Sequence, residues 1–180
     1  MRIISGKYKG RRITAPKKLP IRPTTDMAKE ALFNILNNSY YFEDLEVLDL
    51  FAGSGNISYE FGSRGATKIV SVDANFRCIK FISATATALE LEIEAVKSDV
   101  FAYLEKTTSK FDIIFADPPY DLSPDKFAEI PKLTFDRALL QEGGVLVIEH
   151  SKHTDLSHLH HFTQQRKYGG SVFSFFEAAP

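Results

Sequence analysis

From Glu46 onward, short apolar runs alternate with amphipathic stretches, and this alternation constrains the fold more than any other feature. Val47-Leu48-Asp49-Leu50-Phe51 reads as a first strand, closed by Gly53-Ser54-Gly55. Residues 56–64 suit a helix, 68–73 a strand, 75–90 a helix, 94–97 a weak strand and 99–106 a short helix. Residues 111–116 and 144–149 read as further strands around a helix at 127–140, which Pro131 is expected to break or delimit. Residues 162–168 and 171–177 flank Gly169-Gly170 and read as a closing antiparallel hairpin. Strands alternating with helices imply an α/β fold of mostly parallel βαβ units, with helices on both faces. Ligands of such sheets bind beyond the carboxyl ends of the strands.

The first 22 residues belong to a different pattern. Residues 2–13 contain two short β-prone pieces around a Gly-containing turn, which predicts a small hairpin extension. Pro16, Pro20 and Pro23 then keep the chain extended up to a helix over residues 25–36. The expected division is therefore 1–22 as an extension and 23–180 as the main domain. Charge divides at nearly the same place. Eight basic residues and no acid precede Asp26, a local +8, whereas the remaining 14 basic and 23 acidic residues sum to −9. The formal net charge of −1 hides that asymmetry. Arg2, Lys7, Lys9, Arg11, Arg12 and Arg22, with Tyr8 among them, are the candidate nucleic-acid contacts: basic side chains track phosphates and an aromatic ring stacks.

Other features narrow the setting. No apolar run reaches the length of a membrane span, and the start lacks the apolar segment of a signal peptide. The single cysteine, Cys78, fits a reducing cytoplasm and a packing role. His150, His153, His158, His160 and His161 lack the spacing of a metal site, so no metal is expected.

The strand ends carry the chemistry. The Gly53-Ser54-Gly55 turn opens a helix, but Ser58 stands where a dinucleotide fingerprint has its third glycine. Asp49 within the first strand would repel a pyrophosphate and suits a cationic ligand. Asp73 is placed for two ribose hydroxyls and Asp99 for an adenine amino group. Asp49, Phe51, Gly53, Gly55, Asp73, Asp99 and Asp117 are the candidate cofactor residues. Ammonium, ribose and adenine together describe S-adenosylmethionine.

Asp117-Pro118-Pro119-Tyr120 follows the fourth strand. The prolines stiffen the loop. Asp117 and the Pro118 carbonyl can then accept from one exocyclic amino group, leaving its lone pair aimed at an electrophilic methyl. Tyr120 offers a face for a base taken out of its stack. Asp117, Pro118, Pro119 and Tyr120 are the candidate catalytic residues.

The chain resembles the RsmD-type 16S ribosomal RNA guanine-N2 methyltransferases, among the class I S-adenosylmethionine-dependent enzymes. Nearly the whole length is covered, through residues 2–11, Arg22-Pro23-Thr24-Thr25-Asp26, residues 30–36, Leu48 to Gly55, Ser63-Arg64-Gly65-Ala66 and Asp117 to Tyr120. The resemblance implies a Rossmann-like methyltransferase sheet, the donor at Asp49, Gly53, Gly55, Asp73 and Asp99, and the base at Asp117 to Tyr120. It implies 16S ribosomal RNA as partner, within a small subunit or assembly particle, and a cytoplasmic monomer. Adenine-N6 nucleic-acid methylation, protein glutamine methylation and a non-catalytic ribosome-assembly module are the alternatives; Asp117 in place of Asn argues against the glutamine substrate.

Overall fold

The computed structural model describes residues 1–22 and 24–179. Pro23, the expected start of the main domain and part of the extended segment, lies outside the described residues. Among the described residues, five helices and seven strands follow one another: α1 (Asp26–Asn37), β1 (Glu46–Leu50), α2 (Asn56–Ser63), β2 (Lys68–Asp73), α3 (Phe76–Ala88), β3 (Ile93–Lys97), α4 (Val100–Lys106), β4 (Phe111–Ala116), α5 (Pro124–Asp136), β5 (Leu140–Ser151), β6 (Phe162–Tyr168) and β7 (Ser171–Glu177). The strands form one sheet in the order β3-β2-β1-β4-β5-β7-β6. The pairs from β3 through β5 are parallel, and β7 is antiparallel to both β5 and β6. The order reverses beside β1, which opens a crevice between the carboxyl ends of β1 and β4.

Alternation along the strands supplies two cores. Val47, Ile69, Ile113, Phe115 and Val145 face α1 and α2, where Phe33 and Phe61 meet edge-on at 4.7 Å. Leu48, Leu50, Val70, Ile114 and Ile148 face α4 and α5. A third cluster joins Ile3, Tyr59 and Ile82 beneath the N-terminal arm.

Two expectations are corrected. Pro131 lies inside α5 and is buried, and the helix runs through it from Pro124 to Asp136. Ser123 caps the helix and Pro124 occupies its first turn, where a missing N–H costs nothing. Phe127 and Ile130 pack the same helix into the core, which outweighs the hydrogen bond that Pro131 cannot make. Leu140 then begins β5 rather than ending the helix, and β5 reaches Ser151.

The N-terminal arm forms the expected small hairpin in its shortest form. A single antiparallel bridge, Arg2 to Arg12, closes it, with Ile3 N–H donating to the Arg11 carbonyl at 2.9 Å and Ile13 N–H to the Met1 carbonyl at 2.9 Å. The backbone donors that a longer hairpin would pair internally go to α2 instead. Ile4 and Ser5 N–H groups donate to the Glu60 carboxylate at 2.9 and 3.1 Å, and Lys7 N–H donates to the Ser63 carbonyl at 2.7 Å. Gly6 permits this approach: at φ 88° an added Cβ would fall 2.0 Å from the Ser63 carbonyl oxygen.

Candidate active site

Parallel packing brings four separate loops to one edge of the sheet. Between them and the N-terminal arm lies a cavity of about 770 Å³. Asp49, Phe51, Gly53, Asp73, Asp99, Asp117, Pro118 and Pro119 all line it, so most of the candidate site residues converge although they span 71 positions of sequence. Met1, Ile21, Arg22 and Thr24 close it from the arm side.

The loop after β1 is shaped by positive φ at Phe51 (56°), Gly53 (57°) and Gly55 (85°). Gly53 N–H donates to Asp73 Oδ2 at 2.9 Å, while Asp73 Oδ1 accepts from Asn75 N–H at 2.8 Å. These bonds fix the Asp73 carboxylate at the rim, each oxygen keeping a second acceptor direction. Gly55 is not among the residues lining the cavity. A Cβ there would fall 2.6 Å from the Tyr59 ring, so helix packing demands that glycine. Asp99 caps α4 through Oδ2, which accepts from Ala102 N–H at 2.9 Å, and still lines the cavity.

Asp49 is 2% exposed and accepts from Ser58 Oγ at 2.7 Å. Burial pushes its carboxyl up to about 7, and the neighbouring Asp73 charge pushes in the same direction. A buried carboxylate on a cavity wall favours a cationic ligand, whose charge would return it to the ionised form. The donor set therefore fits a ligand carrying an ammonium or sulfonium beside ribose hydroxyls.

The loop after β4 is held by Asp117 N–H, which donates to the Leu50 carbonyl at 3.3 Å. Burial raises the Asp117 carboxyl well above its usual range; Glu149 raises it further and Arg22 opposes both. Glu149, at the end of β5, is also raised by burial, against the Ser171 hydrogen bond and Arg22. Arg22 sits at the centre of this group. Its Nη2 donates to Asp117 Oδ1 and lies 3.9 Å from Glu149 Oε1, and its Cζ stands 3.4 Å from the centroid of the Tyr120 ring.

The remaining basic residues lie along the arm. Lys7, Lys9, Arg11 and Arg12 are exposed, and Arg2 pairs with Asp26 at 3.5 Å. Tyr8 is half-buried, packed in the Ile3 cluster with its hydroxyl donating to the Leu89 carbonyl. It joins the arm to the body rather than standing as a free platform.

Two groups escaped the sequence. Lys29 and Glu60, both fully buried, pair at 3.2 Å beneath the arm. Nothing in the helical patterns of α1 and α2 announces a buried ion pair. Glu149 was visible as a polar strand end, and only the fold places it beside Asp117. Among the described residues, no three His, Cys, Asp or Glu side chains converge in a way that would hold a metal. His150 is buried, with its ring 2.7 Å from Ser174 Oγ.

The strand order and the convergence of loops after β1, β2, β3 and β4 are those of the class I methyltransferase fold. Residues 1–177 match the family described as conserved hypothetical protein 95. A Bacillus subtilis protein named "Putative rRNA methyltransferase YlbH" is 36% identical over 161 residues, 87% of this chain and 85% of its own. Ribosomal RNA small subunit methyltransferase D of Escherichia coli is 34% identical over 122 residues, 67% of this chain and 60% of its own. The solved structure of a Thermus hypothetical protein, TTHA0928, superposes with a TM-score of 0.85 at 26% identity over 99% of both chains. The chain belongs to this family, the RsmD-type methyltransferases.

Proposed function

We propose that this protein transfers a methyl group from S-adenosylmethionine to the exocyclic N2 amino group of a guanine in 16S ribosomal RNA. The observation that carries this reading is the convergence of Asp117, Pro118 and Pro119 with Asp49, Asp73 and Asp99 on one cavity; Tyr120 does not line that cavity and is joined to Asp117 through Arg22. Family membership and the names of the relatives support methylation of small-subunit ribosomal RNA.

When bound, the donor supplies an electrophilic methyl on a sulfonium. Asp49 would face its cationic part, Asp73 its ribose and Asp99 its adenine. Asp117 and the Pro118 carbonyl would accept the two N–H bonds of the target amine, which directs the nitrogen lone pair toward the methyl. Positive charge moves onto the base as the methyl arrives, and the half-buried Asp117 carboxylate would meet that charge and take the departing proton. Its raised pKa suits a group that holds a proton briefly and passes it to water. Tyr120 would stack the extracted base.

The arm, residues 1–22, would hold the RNA through exposed Lys7, Lys9, Arg11 and Arg12. Tyr8 and Arg2 would support it by fixing the arm. The protein is read as a cytoplasmic monomer acting on a small subunit or assembly particle. Mass mapping of ribosomal RNA nucleosides from cells lacking the protein tests the reading. The expected result is loss of one N2-methylguanosine from the 16S RNA; an unchanged set of methylated nucleosides contradicts it.

A further inference from the structure

The Arg22 guanidinium touches two of the groups that the proposed reaction assigns to the target base, Asp117 and the Tyr120 ring. It donates to Asp117 Oδ1, its Cζ stands 3.4 Å from the Tyr120 ring centroid, and it approaches Glu149 Oε1 to 3.9 Å. A separation of 3.4 Å is the thickness of one stacked layer, so a base on that face of Tyr120 and Arg22 cannot be there together. Asp117 Oδ1 accepts from the same guanidinium, so one of its two acceptor directions is taken. The base must therefore displace Arg22 to reach its partners.

Chemistry says which base the placeholder resembles. Guanidinium is a planar carbon bearing three nitrogens. The N1–H, C2 and N2–H₂ edge of guanine repeats that arrangement and presents adjacent donors in one plane. Adenine offers a donor at N6 beside an acceptor at N1, a pattern that a pair of ionised carboxylates does not match.

Glu149 supplies the second acceptor. Its side chain is 1% exposed, Ser171 Oγ donates to Oε1 at 3.0 Å, and Oε2 is buried without a hydrogen-bond partner among the described residues. β4 and β5 pair in register at Ala116 and Ile148, which makes Asp117 and Glu149 neighbours at the sheet edge. A buried carboxylate oxygen left without a donor is costly in the free protein, and a ligand N–H arriving there recovers that cost.

We infer that Arg22 holds the target-base subsite in the free protein, and that Glu149 is the specificity residue that accepts the ring N1–H of guanine once Arg22 has moved aside. The inference rests on the guanine reading above. It deepens that reading by naming the residue that selects guanine and the one that must leave.

The test is a set of nucleoside titrations into the protein saturated with S-adenosylhomocysteine. The ligands are guanosine, adenosine and 2-aminopurine riboside, which keeps the N2 amine but carries an acceptor at N1. The expected order is guanosine about tenfold tighter than 2-aminopurine riboside. Arg22→Ala should tighten guanosine at least about fivefold, because the competing side chain is gone. Adding Glu149→Gln should erase the preference for guanosine over 2-aminopurine riboside. Two results would overturn the inference: no gain for guanosine in Arg22→Ala, or a preference that survives Glu149→Gln. Because Arg22 is at the surface, its arm of the test stands even if Glu149→Gln does not fold. Failure of the guanine reading looks different, with adenosine tighter than guanosine in every variant, and it overturns both.

Discussion

Two ionic clusters tie the N-terminal part of the chain to the body, and they are built to opposite ends. Under the arm, Lys29 Nζ donates to the Arg2 carbonyl at 2.6 Å and to Asn56 Oδ1 at 2.8 Å, and it pairs with Glu60. Glu60 accepts from Ile4 N–H, Ser5 N–H and Arg64 Nε, so both of its oxygens are engaged. At the strand ends, Arg22 leans over Asp117 and Glu149, both raised by burial, and one Glu149 oxygen has no partner among the described residues. The saturated cluster is a fastener. The unsaturated one keeps acceptors for something that arrives later. Burial of charge alone does not separate structure from function; completeness of the hydrogen bonding does.

The comparison can be broken most directly at the fastener. Lys29→Met leaves Glu60 buried with less compensation, and chemical denaturation should show a loss of about 3–5 kcal/mol. Arg22→Ala should cost about 1 kcal/mol or less, since its side chain is 34% exposed. Equal losses would erase the distinction. At the other cluster, Asp117→Asn should lower single-turnover transfer about 10²–10³-fold while donor affinity measured by calorimetry holds.

The close seat of the arm gives a smaller contrast. Gly6 and Gly10 both have positive φ, but only Gly6 faces a backbone carbonyl, while a Cβ on Gly10 meets nothing within 4 Å. Gly6→Ala should cost at least about 2 kcal/mol and Gly10→Ala about 1 kcal/mol, read from denaturation midpoints.

The cavity has its own pH signature. The Asp49 carboxyl sits at about 7 when folded, above its unfolded value. The neutral acid's contribution to stability is thus whole below the unfolded value and is lost as pH rises through about 7. Donor binding runs the other way, because it favours the ionised form. Affinity should rise about tenfold per unit as pH climbs toward 7 and level off above it. Asp49→Asn should flatten both dependences, as measured by calorimetry and thermal melting. The smallest effect lies on the arm surface. Replacing Lys7, Lys9, Arg11 and Arg12 by Gln should reduce the salt slope of RNA binding by about 0.7 for each phosphate that is no longer neutralised.

Much of this was legible in the sequence because βαβ alternation dictates where strand ends go. Once strands are parallel, Asp49, Asp73, Asp99 and Asp117 must gather at one edge, and β2, β4, β6 and β7 begin and end where their apolar patterns do. The arm was less legible. Its glycines suggested a hairpin turn, and the Arg2 to Arg12 bridge closes one, but nothing local shows that Gly6 also serves the approach to α2. Lys29 and Glu60 sit 31 positions apart on two helices, and no local pattern says that each is the other's partner. Pro131 misled because a local rule was outweighed by core packing of Phe127 and Ile130. Arg22 read both as a cation of the basic stretch and, just before the first helix, as a border of the donor or base pocket, but only the fold turns it over Tyr120.

The central claim concerns which atom receives the methyl. Small ribosomal subunits from cells lacking the protein, incubated with it and with S-adenosylmethionine labelled in the methyl group, can be digested and their nucleosides separated. The account predicts label in N2-methylguanosine alone; label in N6-methyladenosine, or none, would contradict it.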